Sequence, residues 1–439
     1  MNIYIVVEIK NREFIPKLLL SLQAACSNHV VYVGNITQLL KKNFLKPGLL
    51  HHKSLTPTKN RFSLLKKLKA KNFLVSSLDE EVGGVNKRIE YLNTRYGKKT
   101  VNLADLIFTW GKFDYYNLTK RYKNYKDKFI NSGNPRVDLW RSDFQSYYGK
   151  KEKKYILVSS NYNFLFGVKK LIQQYNGKVE LDYFKRGEVE KEYLKRISKE
   201  GNLLEDLIPA LKNLSKKFKY KKFIFRPHPE EDENAWKDIF YDCKNIFVQK
   251  KGSLSEVLNG AEAVLHNGCT GGLEASLRNI PTIAYMSKGD MSAGHSICNR
   301  FSTVVNSEKN LIKKLSLIFK SNSKNSLDRK QKKEISARYE NLYNFPAYKK
   351  IVQEWNKIEN PKLRIKNKDI LFKNFFLKKK LKKFMTSTPY IPFKFEPFSK
   401  NEINRIKSKF DKFDPNFKNV SIEIIGDDVL KVQLKKSNN

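Results

Sequence analysis

A short β-branched run, Ile3–Val7, is followed at helical spacing by apolar Ile15, Leu18, Leu19, Leu22 and Ala25, and then by a second apolar run, His29–Val33, closed by Gly34-Asn35. Parallel strands need a crossover connection, and a helix over Arg12–Cys26 supplies one, so strand, helix and strand within about 30 residues predict a βαβ unit. Phe73–Ser76 and Leu106–Trp110 read as further strands between polar turns. The pattern breaks near Gly133-Asn134-Pro135 and the charged stretch Gly149–Lys154, then restarts. Strands are expected at Tyr155–Ser159, Lys222–Arg226, Asn245–Gln249, Ala263–His266 and Thr282–Tyr285. Helices are expected at Leu203–Phe218, ending at Val257–Ala261, and at Gly272–Arg278.

Two successive βα arrays predict an α/β chain of two Rossmann-like, doubly wound domains, 1–148 and 149–358, facing across a cleft, with ligand held outside the carboxyl ends of the strands. From about Glu359 the character changes to a basic C-terminal extension, 359–439. Lys362–Lys383 carries ten basic residues and one acid, Asp369, interleaved with Leu and Phe, and Pro389–Phe398 reads as an extended linker. Val420–Leu434 alternates enough for a hairpin around Gly426-Asp427.

Charge decides less than its size implies. The 86 basic and 44 acidic residues give a net charge of +42, which favours polyanionic partners, but the abundance of Lys, Asn, Ile, Phe and Tyr is equally the drift of an AT-rich composition. No RNP, KH, zinc or recognition-helix signature accompanies the charge, so no specific nucleic-acid partner is expected. Cys26, Cys243, Cys269 and Cys298 lie far apart with no CxxC pair, the pattern of reduced thiols in a cytoplasmic protein. Charged Glu8, Lys10, Arg12 and Glu13 follow the first strand at once, unlike a signal peptide, and no run reaches the length of a membrane span.

Two segments carry the chemistry. In Phe223–Glu231, FIFRPHPEE, a strand ends at Arg226 and two prolines force the chain out of helix, fixing His228 at the carboxyl end of a parallel strand. An imidazole there can serve a phosphate, with Arg226 adding a charged contact; it can equally cap a turn. In Val264–Ser276, VLHNGCTGGLEAS, a strand runs through His266, Asn267 and Gly268 into a helix opened by Thr270, Gly271 and Gly272. Free N–H groups and the helix dipole there favour an anion, Thr270 can cap the helix and donate to phosphate, and Glu274 can accept from ribose hydroxyls. Between them, Ser253 and Glu256 form a capping box, with Ser253 or Ser255 read alternatively as nucleotide contacts. Asp427-Asp428 and Glu230–Glu233 read as tail and solvated helix start, so no metal site is expected.

The runs RPHPEE, GSLSEVL and HNGCTGGLEASLRNIPTIAY, in this order, resemble the C-terminal domain of bacterial surface-carbohydrate (capsule and lipopolysaccharide) biosynthesis proteins of the GT-B glycosyltransferase fold. They are similar also to Kdo and sialic-acid-type transferases and, more distantly, to the epimerase acting on UDP-N-acetylglucosamine. IYIVVEIKNREFIPKLLL, SSLDEEVGG, ADLIFTWGKFD, SGNPRVDLWR and YILVSSNYNF extend the resemblance through the N-terminal half. The resemblance implies a metal-independent transferase with no resident cofactor and a nucleotide-sugar substrate, such as a CMP-activated 2-keto sugar acid. A lipid-linked or polysaccharide intermediate is the implied acceptor. It brings forward Asp79-Glu80-Glu81, otherwise a solvated turn, as source of the general base, with His228 and Thr270 on the departing phosphate. Lys362–Lys383 would rest on an anionic membrane at the inner face, or pack on the domains with a solvated basic side. The alternatives are a nucleotide-sugar epimerase or hydrolase on the same fold, and a non-enzymatic polyanion-binding or scaffold protein.

Overall fold

In the computed structural model the described residues are 1–41, 46–84, 88–149, 154–162, 186–229, 231–287, 297–321, 327–359, 395–426 and 428–435. Their contacts divide into two compact units. The first holds Met1–Glu80, Leu92–Tyr147 and Ser336–Asn439; the second holds Glu81–Tyr91 and Tyr148–Ile335.

Six parallel strands build the first unit: β1 (Asn2–Val6), β2 (Val30–Gly34), β3 (Leu49–His52), β4 (Leu74–Leu78), β5 (Leu106–Thr109) and β6 (Phe129–Asn131), ordered β2-β1-β3-β4-β5-β6. The helix Lys10–Cys26 crosses from β1 to β2 as its spacing predicts. Ile9 offers no capping side chain; Glu13 in the first turn reaches back and its carboxylate accepts from Glu8 N–H at 2.9 Å.

The second unit is built on β7 (Tyr155–Ser159), β8 (Lys222–Arg226), β9 (Ile246–Val248), β10 (Ala261–His266), β11 (Thr282–Tyr285) and β12 (Thr303–Val305). All pair in parallel, in the order β9-β8-β7-β10-β11-β12. This is the doubly wound order of nucleotide-binding folds, with the chain changing direction between β7 and β10. Each unit thus has the expected α/β class.

The expected domain limits need correction at the C-terminal side, because residues 336–358 and 395–435 belong to the first unit. The hairpin β13 (Val420–Gly426) and β14 (Val429–Leu434) forms as predicted, but β14 pairs antiparallel with β2 and lengthens the first sheet to eight strands. The helix Lys400–Phe413 buries Ile403, Ile406 and Phe410, while the Phe398 ring packs tilted against Phe14 at 4.8 Å and Phe413 against Phe144 at 3.9 Å. The basic run Lys362–Lys383 and Asp427 lie outside the described residues.

The helix Ala347–Asn356 is held to this unit by a carboxylate from elsewhere in the chain. Its N-cap, Pro346, has no side chain to offer, and Asp138 accepts instead from Ala347 N–H (3.0 Å), Tyr348 N–H (2.9 Å) and Asn341 Nδ2 (2.6 Å). Burial outweighs these donors and pushes the Asp138 carboxyl from 3.8 up to about 7. A raised native pKa means the folded state binds the extra proton, so this stabilisation is present at acid pH and is lost as pH rises through about 7. Thermal melts between pH 4 and 7 should therefore show wild type losing stability relative to Asp138→Asn; parallel curves would refute the coupling.

Candidate functional site

Strands β7, β8 and β10 end side by side at the point where the second sheet reverses direction. Ser159 and Ser160 close and follow β7, Arg226 ends β8 and His266 ends β10. Asn267, Gly268 and Cys269 lead from there into the helix Thr270–Leu277.

The proline-flanked loop after β8 is closed by a residue that its local sequence misrepresents. Glu231 is 1% exposed, not part of a solvated helix start. One carboxylate oxygen accepts from Ser160 Oγ (2.5 Å) and Trp236 Nε1 (2.9 Å), the other from Tyr162 N–H (2.6 Å). Its own N–H donates to His228 C=O at 2.9 Å, and His228 N–H donates to Ser160 Oγ at 3.2 Å. His228 is thereby fixed, half-buried, at the carboxyl edge. Arg226 spends its guanidinium on the backbone, donating to the carbonyls of Lys251 (3.2 Å) and Gly252 (2.6 Å), so it ties the loop after β9 to β8.

Around the second loop, His266 is a buried neutral scaffold. Gly268 N–H donates to its Nδ1 (3.0 Å), which assigns the ring proton to Nε2 for donation to Ser302 Oγ (2.8 Å), and burial pushes its pKa down to about 3. Gly268 has φ +90°, and a Cβ on Gly272 would stand 2.3 Å from His266 Nε2. Glycine at these two positions lets the helix start lie directly against the strand end. The cap differs from expectation: Cys269, not Thr270, is the N-cap, its Sγ accepting from Gly271 N–H (3.4 Å) and Ser159 Oγ (3.2 Å). Burial pushes this thiol up, so it remains protonated. Thr270 becomes the first helical residue and is exposed. Asn267 is 3% exposed and its Oδ1 has no hydrogen-bond partner.

Behind this rim, Glu274 accepts from Ser255 Oγ and pairs with Arg278 at 3.6 Å. Ser253 caps Leu254–Leu258, accepting from Glu256 N–H at 3.3 Å and donating to Glu256 Oε2 at 3.2 Å, the capping box read from the sequence. Ser253 and Ser255 are therefore already committed to protein partners, as is the buried Glu274.

Asp79-Glu80-Glu81 is no simple solvated turn. Asp79, fully buried, pairs with Arg95 at 2.7 Å. Glu80 Oε1 lies 3.3 Å from Lys17 Nζ, while Glu80 Oε2 is buried without a hydrogen-bond partner. Lys17 also donates to Glu13 Oε2 (2.9 Å) and Val6 C=O (2.7 Å). Glu81 is half-buried and accepts from Tyr91 Oη at 3.1 Å. Sequence reasoning missed Glu13 and Lys17, although an opposite-charge pair four residues apart on the helix was a legible signal. It also passed over Ser159, Ser160, Glu231 and the cap of Cys269, whose partners lie far along the chain.

Among the described residues no cluster of three His, Cys, Asp or Glu side chains gathers to hold a metal, and no helix is long and apolar enough to cross a membrane. No protein-family model and no curated protein matches the sequence. Solved structures similar to the chain include the UDP-GlcNAc 2-epimerase from Methanocaldococcus jannaschii, at 12% identity and TM-score 0.49, covering 81% of this chain and 99% of that one. The UDP-GlcNAc 2-epimerase from Neisseria meningitidis is similar at 13% identity and TM-score 0.45, covering 81% and 99%. The wall teichoic acid polymerase TagF is similar at 11% identity and TM-score 0.38, covering 70% of this chain and 71% of that one.

Proposed function

We propose that the chain is a glycosyltransferase that takes its sugar from a nucleotide donor, such as a CMP-activated 2-keto sugar acid, for a surface-polysaccharide or lipid-linked intermediate. The observation that carries this reading is the helix start at the switch point of the second sheet. Thr270 is exposed there and the buried Asn267 Oδ1 lacks a partner, while Gly268, Gly271 and Gly272 are buried with their N–H groups donated to His266 and Cys269, so the expected free N–H groups are not at these glycines. A donor phosphate at this end takes the Thr270 hydroxyl and the positive end of the helix dipole, and His228 serves the charge that develops as the phosphate departs. Asn267, whose Oδ1 lacks a partner, is left to accept from a sugar or ribose hydroxyl. Glu80 or Glu81 supplies the base in this reading; Glu81 is half-buried, and Glu80 is buried with one oxygen beside Lys17 and the other without a hydrogen-bond partner.

Melting the purified chain with CMP, CDP, UDP and GDP tests the reading. One nucleotide at 100 times its Kd should stabilise the second unit by about 2.7 kcal/mol, roughly 5–10 °C for a domain of this size. Thr270→Val and His228→Ala should each weaken the effect about tenfold or more in nucleotide concentration, because each removes a hydrogen bond to a charged group. A melt that no nucleotide moves would sink the proposal.

A further inference from the structure

The amino ends of β8 and β9, opposite the carboxyl edge described above, carry a second surface. Of nine large hydrophobic side chains exposed among the described residues, three lie here: Tyr220 (77% exposed), Tyr241 (85%) and Phe247 (47%). Tyr220 and Tyr241 stand on the turns before β8 and β9 and Phe247 on β9 itself; Asn245, just before β9, donates its Nδ2 to the carbonyls of Ser215 (3.2 Å), Phe218 (3.1 Å) and Lys221 (2.9 Å) and so ties the two turns together. Lys216, Lys217, Lys219, Lys222 and Lys244 are exposed around them, and Lys222 Nζ lies over the Phe247 ring at 4.5 Å.

The nearby acids are largely neutralised. Asp242 pairs with Lys212 at 2.8 Å and Glu262 with Lys221 at 2.7 Å, which leaves Asp238 against the five exposed lysines. Protruding rings among lysines, two of them tyrosines with a polar tip, suit the boundary between water and an anionic bilayer, where the phenol stays at headgroup level. The turns contain no arginine, the side chain that forked phosphate and base contacts in nucleic acid favour. We propose that this face, Tyr220, Tyr241 and Phe247 amid Lys216, Lys217, Lys219, Lys222 and Lys244, docks the second unit on an anionic lipid surface. Docked this way, the unit presents its opposite, carboxyl edge to the solution.

The full chain tests this by cosedimentation with phosphatidylglycerol-containing and with pure phosphatidylcholine vesicles. Binding should require the anionic lipid. Exchanging the five lysines for Gln should lower partition on the order of a thousandfold, about fivefold per lysine. Tyr220→Ser with Tyr241→Ser and Phe247→Ser should lower it at least about tenfold. Because these side chains are exposed, both variants should melt as wild type does, and their nucleotide shifts should be unchanged, so the outcome is separate from that of the proposed activity. The native tryptophans at 110, 140, 236 and 355 are buried, so Tyr241→Trp gives a single exposed reporter, expected to be quenched by brominated lipid. The proposal is overturned if wild type ignores anionic vesicles or the reporter is not quenched. It is overturned equally if only neutralising Lys362–Lys383 abolishes binding, or if the variants lose duplex DNA while keeping vesicles.

Discussion

Ending the chain at residue 394 is expected to leave the first unit unfolded. The removed segment covers Phe14 with Phe398, Phe144 with Phe413 and Tyr147 with Phe410, and β14 closes the edge of β2 along Val31 and Val33. Uncovering five such side chains at about 1.5–3 kcal/mol each costs about 7–15 kcal/mol, as much as a whole domain's stability. The bared β2 edge adds an aggregation site. Lys10 loses its partners as well, since its Nζ donates to Glu402 (2.6 Å) and Pro397 C=O (3.0 Å). Circular dichroism and limited proteolysis should show the first unit's residues digested first, and a truncated chain that melts like wild type would refute the docking. Deleting everything after Glu359 therefore cannot report on membrane binding by the basic run, because it dismantles a sheet. Neutralising Lys362–Lys383 in the full chain isolates that question.

This reach of the tail shows where a sequence stops being legible. The alternation around Gly426 predicts a hairpin, and it forms, but nothing local states that its second strand seeks β2, some 400 residues away. Strands β7, β8, β10 and β11 were readable because each is a compact apolar run between turn residues. Leu49–His52 was not, because two of its four residues are histidines, buried at the strand's carboxyl end with Ser76 Oγ on His51 Nδ1 at 2.9 Å. The same limit applies within the candidate site. Glu231 reads as one acid in an acidic run until Ser160, 71 residues earlier, and Trp236 supply its donors. Thr270 is the better capping residue by type, yet Ser159 on the neighbouring strand completes a cap on Cys269. Motif spacing located the loops, while the division of labour inside them depended on tertiary partners.

That division bears most heavily on Lys17, for which Lys17→Met is expected to cost about 3–5 kcal/mol, because it leaves buried Glu80 without its cation and buried Glu13 with Arg12 alone. Glu13 is fully buried and Glu80 is 4% exposed, and Lys17 Nζ lies between them while also satisfying Val6 C=O. Burial alone would raise the Glu13 carboxyl, but the Lys17 ammonium and then Arg12 hold it below its ordinary value. A depressed native pKa stabilises the fold above the unfolded value of 4.5, and that contribution is lost as pH falls through the lower native value. Removing Lys17 leaves Glu13 with burial and only Arg12, so its pKa rises and the variant's folded state takes up a proton that wild type refuses. The penalty should therefore be largest near neutrality and shrink on acidification. Glu13→Gln with Glu80→Gln in the Lys17→Met background should recover most of it, since the stranded charges are then gone. Urea unfolding across an acid-to-neutral series reads this directly, and a penalty independent of pH would show that Lys17 acts through packing alone. A Glu80→Gln single variant that folds as wild type does but loses activity would separate a chemical role for Glu80 from its part in this buried cluster.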